Sequence, residues 1–227
     1  MKKSKLDDDF HSYLIEGASL VGKERIPMLM ELNNIEIPRD LIPYEKAKNT
    51  KDKNDRKKYV HFYQHDNTFS DILTATKSNM KTLQRFDGII TPDCSILIGQ
   101  APCLQTTNTY FNRAVGFYLQ KHGFSVIPNI RWADESTYDF CFLGVPKNYI
   151  VSISTHGCIF YDFEKKMFKA GLDKMLKTLE PRAILVHGYM PDEIFGDYKN
   201  DYKFYRYPSQ FEKTHKKEDL DNGNRWI

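Results

Sequence analysis

The fold is decided by the stretch 149-YIVSISTHGCIFYDFEKKMFKAGLDKMLKTLEPRAILVHG-188. Apolar, β-branched runs open it at 149–153 and close it at 183–186, and both have the length and residue types of buried strands. The apolar residues between them recur at helical spacing: Phe168, Leu172, Met175, Leu176 and Leu179. This helix starts near position 162 and must end before Pro181. Two strands joined by a long crossover helix indicate parallel pairing.

The same kind of strand ending occurs four times in the chain. Apolar runs at 88–93, 125–132, 149–156 and 182–188 all end abruptly in polar or ionisable residues. In α/β proteins, ligands bind at the carboxyl ends of parallel strands. We therefore expect one rim of the sheet to collect the polar side chains of these endings: Asp93, Asn129, Arg131, His156 and His187.

The flanking segments extend the alternation of strands and helices. A second crossover helix is predicted over 105–122, where apolar residues recur at helical spacing before Gly123, and a short last strand over 203–208. The predicted fold class is α/β, with a mainly parallel sheet and crossover helices. The pattern does not decide between an open sheet and a partial barrel.

The first 84 residues differ from the rest of the chain. Their apolar content is thin for an independent core, so we interpret 1–84 as an irregular N-terminal arm packed on an α/β domain of residues 85–212. Within the arm, the charged run 45–58 is predicted to be a solvated loop. Residues 213–227 are predicted to be a polar tail.

Composition limits the function classes. The net charge of +3, from 33 basic and 30 acidic residues, does not by itself predict a nucleic-acid partner. The four cysteines include no Cys-x-x-Cys pair, which argues against a zinc ribbon or a thioredoxin-type motif. No apolar run approaches membrane-spanning length, so we expect a cytoplasmic protein with no membrane partner. The lack of a glycine-rich phosphate loop argues against a standard kinase, GTPase or dinucleotide enzyme.

Several ordered motifs are similar to those of one family. They include Phe86-Asp87-Gly88, Pro92-Asp93-Cys94-Ser95, Val126-Ile127-Pro128-Asn129, Arg131-Trp132 and Gly157-Cys158. On these residues the chain resembles the DUF4417 proteins, a family of unknown function met in bacteria, phages and other mobile elements. The resemblance covers roughly 26–215 and implies a cytoplasmic, phage-related protein; it supplies no activity, cofactor or catalytic residue. An aromatic residue often follows the Pro-Asp in that family, where this chain has Cys94.

Asp93 and the segment around Arg131 carry the first candidate chemistry. Asp93 is a predicted catalytic general base or metal-binding carboxylate, but it fits equally well as the cap of the following turn. An arginine in an apolar strand needs an anionic partner, so Arg131 predicts binding of a small anionic ligand. The predicted substrate-binding residues are Asn129, Arg131, Asp134 and Ser154. The alternative is a structural ion pair of Arg131 with Asp134 or Asp139 at the rim of the sheet.

His156 and His187 end two strands that should lie near one another. If the sheet brings them together, they would serve as acid and base, or would bind a divalent metal with Asp93 as a third ligand. Each histidine is also a common type of hydrogen-bonded structural residue, and the metal content is left open.

Two non-catalytic functions compete with the enzyme hypothesis. The first is nucleic-acid binding by the charged loop, where basic residues precede aromatic ones. Its predicted contacts are Lys51, Lys53, Arg56, Lys57 and Lys58. The second is binding of a host protein through tyrosines such as Tyr189 and Tyr205. The patterns do not decide whether the chain is an enzyme.

Overall fold

The computed structural model describes residues 11–32 and 35–214. The strands are β1 (Leu20–Val21), β2 (Ile26–Pro27), β3 (Leu41–Pro43), β4 (Tyr59–His61), β5 (Gly88–Ile90), β6 (Val126–Ile127), β7 (Ile150–Ser154), β8 (Ala183–His187) and β9 (Phe204–Tyr207). The α-helices are α1 (Tyr44–Asn49), α2 (Ser70–Thr74), α3 (Thr76–Leu83), α4 (Pro102–Lys121), α5 (Tyr138–Cys141), α6 (Asp162–Leu179) and α7 (Asp192–Phe195).

The strands from β3 to β9 follow one another in chain order, and all their pairings are parallel. One sheet has the order β3-β4-β5-β6 and the other β7-β8-β9, and a parallel bridge between Asn129 and Ser152 joins them. The prediction of a mainly parallel α/β sheet is confirmed. No pairing between β9 and β3 occurs in the described part of the chain, so the sheets do not form a closed barrel.

The two faces of the strands pack in different cores. One face packs against helices, through residues that include Ile42, Val60, Ile89, Val126, Val151, Ile153, Ile184 and Val186. The alternate residues point to the other face, where both sheets share one core with members Leu41, Tyr59, Ile90, Ile127, Ile150, Leu185 and Tyr207. Since side chains from β3 through β9 meet there, the strands curve around this shared core. Strands that are not neighbours therefore have carboxyl ends that lie close together.

The two long helices are the predicted crossovers. Helix α4 connects β5 to β6, and α6 connects β7 to β8. The carboxylate of Glu164 accepts hydrogen bonds from the backbone N–H groups of Phe160 (2.8 Å) and Tyr161 (3.0 Å), which satisfies donors at the start of α6. Gly171 allows α6 to approach the sheet closely, because a Cβ atom there would lie 2.0 Å from Nε1 of Trp132.

The predicted arm and charged loop are more ordered than their composition indicates. Residues 1–84 contribute β3 and β4, so the sheet crosses the predicted boundary after residue 84. The first part of the predicted loop 45–58 is helical, because Tyr44 and Ala47 on one face of α1 are buried in the core. Most of the predicted tail, 215–227, lies outside the described residues. In the ranges that are described, no helix is long and apolar enough to cross a membrane.

Candidate functional site

Two histidines meet at the carboxyl edge of the sheet. His61 ends β4 and His187 ends β8, and their ring centroids are 4.8 Å apart although the two strands are not neighbours. The curvature of the sheet produces this contact. Ser154, which ends β7, lies opposite His187 in the parallel register. Tyr63, two residues beyond β4, stacks on His187 with ring centroids 4.5 Å apart and planes 17° apart.

Both histidines are buried and uncharged at neutral pH. His61 is 5% exposed and His187 is 3% exposed. Burial lowers the pKa of His61 to about 3, and Lys213 adds to the effect. The pKa of His187 is also lowered well below its usual range, first by burial and then by the charges of His61, His156 and Lys213. A proton on either ring would lack a compensating charge, because no carboxylate in the described ranges forms an ion pair with them.

The hydrogen bonds of the two rings define which nitrogen atoms remain available. His61 Nδ1 accepts a bond from the backbone N–H of Tyr63 at 3.2 Å, so the neutral ring carries its proton on Nε2. His187 Nδ1 lies 3.2 Å from the Ser154 hydroxyl. That hydroxyl also accepts a bond from the backbone N–H of His156 at 3.2 Å. Neither Nε2 atom has a hydrogen-bond partner among residues 11–32 and 35–214.

These rings line a cleft of about 360 Å³, which we call the histidine cleft. His61, Tyr63, His156 and His187 form one side of it, while residues of α1 form another. Lys46 supplies a positive charge there. Glu45 also lines the cleft, and its carboxylate accepts a bond from Gln64 at 3.3 Å. The volume falls within the range of small-molecule sites.

A chain of buried hydrogen bonds runs from Tyr63 to Arg131. The Tyr63 hydroxyl lies 2.5 Å from the Ser152 hydroxyl and donates to Asn129 at 3.1 Å. Asn129 donates in turn to Asp93 at 2.7 Å, and Arg131 Nη1 donates to the other Asp93 oxygen at 3.1 Å. Burial raises the pKa of Asp93, and the charge of Arg131 opposes that rise. Asp93 is therefore the anionic partner that the sequence required for Arg131.

A second cavity of about 140 Å³, the arginine pocket, lies on the other side of the 154–158 turn. Arg131 and Ser154 line it together with Trp132, Phe168 and Glu164. Ser154 contacts both cavities, because its side chain lines this pocket and reaches His187 of the histidine cleft. Of the predicted rim residues, Arg131 lines this pocket, and His156 and His187 line the adjoining histidine cleft.

The remaining predicted residues have more varied positions. His156 is exposed at the side of the histidine cleft, whereas Asn129 and Asp93 are buried behind it. Asp134 lines neither cavity, and its carboxylate accepts bonds from the backbone and hydroxyl of Ser136 in a short turn. The predicted metal trio is not assembled: no three His, Cys, Asp or Glu residues in the described ranges are placed to hold a metal ion.

Sequence reasoning missed His61, Tyr63 and Ser152. A signal was present for His61, because the run 59–61 is also apolar and β-branched and also ends in an ionisable residue. Because the run predicts a strand at 59–63, His61 and His65 share a side but lie too far apart to bind one metal ion, so His61 is not among the predicted site residues. For Tyr63 and Ser152 there was no local signal, since their contact joins residues 89 positions apart.

The predicted nucleic-acid loop lies at the opposite edge of the sheet, where β4 and β5 begin. The backbone N–H of Asp87, just before β5, donates to the carbonyls of Arg56 and Lys58. Lys58 pairs with Asp40 and Asp55 at 3.1 and 2.9 Å. The other predicted contacts are exposed: Lys51, Lys53, Arg56 and Lys57.

A family model with the description "Domain of unknown function (DUF4417)" matches residues 18–208. The chain belongs to the DUF4417 family. Within the family match lie β1 to β9 and the histidines of the cleft. The resemblance noted from the motifs is therefore confirmed.

Two phage proteins are similar to this DUF4417 chain. It is 29% identical over 157 residues to the Gene 1 protein of Mycobacterium phage D29, and 29% identical over 131 residues to the Gene 1 protein of Mycobacterium phage L5. These matches cover 69% and 58% of this chain and 57% of each phage protein, so the chain spans little more than half the length of either relative. No solved structure matches it.

Proposed function

We propose that the chain is an enzyme that hydrolyses a phosphate ester in the histidine cleft. The observation that supports this most is the pair His61 and His187, two buried rings with unpartnered Nε2 atoms beside a cleft at the carboxyl edge of the sheet. In the described ranges Tyr149 Oη is the one fully buried polar side-chain atom without a partner, so the two Nε2 atoms open toward the cleft that their rings line. In metal-binding and triad histidines, the second ring nitrogen usually donates to a carboxylate or a carbonyl. Here His61 Nδ1 contacts a backbone N–H and His187 Nδ1 contacts a hydroxyl, so neither ring has the partner typical of those roles.

The buried rings of the cleft favour an anionic substrate. Lys46 and Glu45 line the cleft with opposite charges, and Lys213, which pairs with Asp40 at 3.1 Å, lowers the pKa of both histidines. An anion would supply the negative charge that the rings lack and would raise the pKa of His187 toward neutrality. Such an upward shift on binding would bring His187 to the range where a general base works best.

The hydrogen bonds support different roles for the two rings. Neutral His61 directs its Nε2–H into the cleft, where it would donate to a non-bridging phosphoryl oxygen, as a neutral imidazole of low pKa is able to do. With Nδ1–H donating to Ser154, His187 has a lone pair on Nε2 and would accept a proton from the attacking water. The water oxygen bonds to phosphorus as the bond to the leaving oxygen breaks, and His187 then returns its proton to that oxygen.

The test combines phosphate binding with hydrolysis. Inorganic phosphate is titrated into the protein by calorimetry, and the imidazole resonances are followed by NMR; bis(p-nitrophenyl) phosphate and p-nitrophenyl phosphate are the assay substrates. Phosphate is expected to bind and to raise the pKa of His187. The variant His187→Gln should lower kcat by roughly 100-fold or more, the usual contribution of a general base. His65→Gln, which changes an exposed histidine outside the cleft, is the matched control and should leave kcat unchanged.

Two results would contradict the proposal. If phosphate does not bind and the pKa values of His61 and His187 do not change, the cleft is not an anion site. Hydrolysis that is equal in the His187→Gln and His65→Gln variants would remove the assigned general base.

Nucleic-acid binding by the basic loop stays a prediction. Four of its predicted contacts are exposed, which supports it, while the pairing of Lys58 with Asp40 and Asp55 weakens it. Since the loop lies at the opposite edge from the histidine cleft, the two functions are separable. Replacing Lys51, Lys53, Arg56 and Lys57 by Gln should abolish any salt-dependent nucleic-acid affinity and leave phosphate binding intact.

A further inference from the structure

The arginine pocket combines aromatic walls with unused hydrogen-bond donors. Trp132 and Phe168 line it with ring centroids 5.0 Å apart, and Leu97 and Ile98 at its side are more than half exposed. Arg131 uses only Nη1 in its bond to Asp93, so Nε and Nη2 have no partner within the described part of the chain. A purely apolar ligand would leave these donors unpaired, which is unfavourable. The ligand must therefore present both an apolar face and polar acceptors.

Electrostatics favours a neutral ligand in this pocket. The carboxylate of Asp93 already compensates the charge of Arg131, and the carboxylate of Glu164 lies at the lining. An additional anion here would meet two negative charges and one positive charge. The volume of about 140 Å³ is below the ~300–1,000 Å³ typical of drug-sized ligands, so the pocket fits a single ring system.

We infer that the arginine pocket holds a guanine base and that the substrate of the histidine cleft is a guanine nucleotide. The Nε–H and Nη2–H groups of arginine form a fork that matches two adjacent acceptors, and guanine presents such a pair in O6 and N7. Aromatic walls suit the faces of a base. The 154–158 turn separates the cavities and is exposed at positions 156 and 157, so one nucleotide would reach both by crossing the outer side of this turn. The nucleotide assignment rests on the proposed phosphate site; the base assignment does not.

Binding of five small molecules separates the two sites. The probes are GMP, AMP, guanosine, ribose 5-phosphate and inorganic phosphate, titrated by calorimetry. Fluorescence of Trp132 in a Trp226→Phe background, which leaves one tryptophan, reports the base. GMP should bind roughly 10-fold or more tighter than AMP and ribose 5-phosphate, the discrimination expected of one bidentate arginine contact. GMP and guanosine should quench Trp132, and phosphate should not.

A variant tests the arginine fork directly. Arg131→Lys keeps the positive charge beside Asp93 but loses the planar fork, so it should erase the preference for GMP over AMP and leave phosphate affinity unchanged. Arg39→Lys, at an exposed position, is the matched control.

The outcomes distinguish the base site from the phosphate site. Equal affinity for GMP and ribose 5-phosphate, with phosphate bound, would overturn the guanine inference and leave the proposed function standing. Equal affinity for GMP and AMP would overturn the guanine assignment. Binding and quenching by guanosine without any phosphate binding would support the base pocket and contradict the phosphate site.

Discussion

Acidification should destabilise the folded protein through the two buried histidines. The unfolded chain has an ordinary histidine pKa of about 6.5, while burial lowers the pKa of folded His61 to about 3. Between these values the unfolded state binds more protons, so the free energy of unfolding falls as the pH falls below about 6.5. At pH 5 the expected loss is about 2 kcal/mol for His61, with a slope near 1.4 kcal/mol per pH unit. His187, whose pKa is lowered in the same direction, adds a loss of the same sign.

The measurement is urea unfolding at several pH values between 5.0 and 7.5, followed by circular dichroism. Throughout this window Asp40 and Asp55, whose pKa values are lowered, contribute a constant stabilisation, which is lost only at lower pH. His61→Gln should reduce the loss between pH 7.5 and pH 5 by about 2 kcal/mol compared with the parent. The exposed-site variant His65→Gln should keep the parental slope. An unchanged slope in His61→Gln would refute the reasoning, because His61 would then titrate normally in the folded state.

Further predictions concern the ion pair and the wall of the arginine pocket. Asp93→Asn leaves Arg131, with a side chain only 21% exposed, without its counter-charge and should lower the free energy of unfolding by about 3 kcal/mol, measured by urea unfolding at pH 7.5. Asp134→Asn keeps a residue type suited to the capping of its exposed turn, so a change above about 0.5 kcal/mol there would contradict the capping role. Gly171→Ala places a Cβ about 2.0 Å from Nε1 of Trp132 and should destabilise the fold by about 1–3 kcal/mol and shift the Trp132 emission. An unshifted spectrum would show that the indole is not held by this contact.

Local sequence was enough to predict the elements and much of the rim. The spacing of apolar residues predicted helices over 105–122 and from about 162 to Pro181, and these are α4 and α6. Strand endings predicted the placement of His187 and Arg131 at one edge, because parallel strands bring all their carboxyl ends to the same edge of the sheet. The prediction of a solvated loop over 45–58 was wrong for α1, because the two buried residues at 44 and 47 stabilise this charged segment as a helix.

The sequence by itself determined which residues stand at strand ends, because strand and helix periodicity is a local property of the chain. The tertiary structure decided which of those residues meet. His61 and His187 are 126 positions apart and share a cleft only because the parallel strands curve around a common core. Asp93 meets Arg131 because β5 and β6 are paired neighbours, an order of strands that only the tertiary structure shows, while Asp134 lies at a separate turn. Such contacts depend on the packing of side chains from many strands at once, which no local pattern encodes.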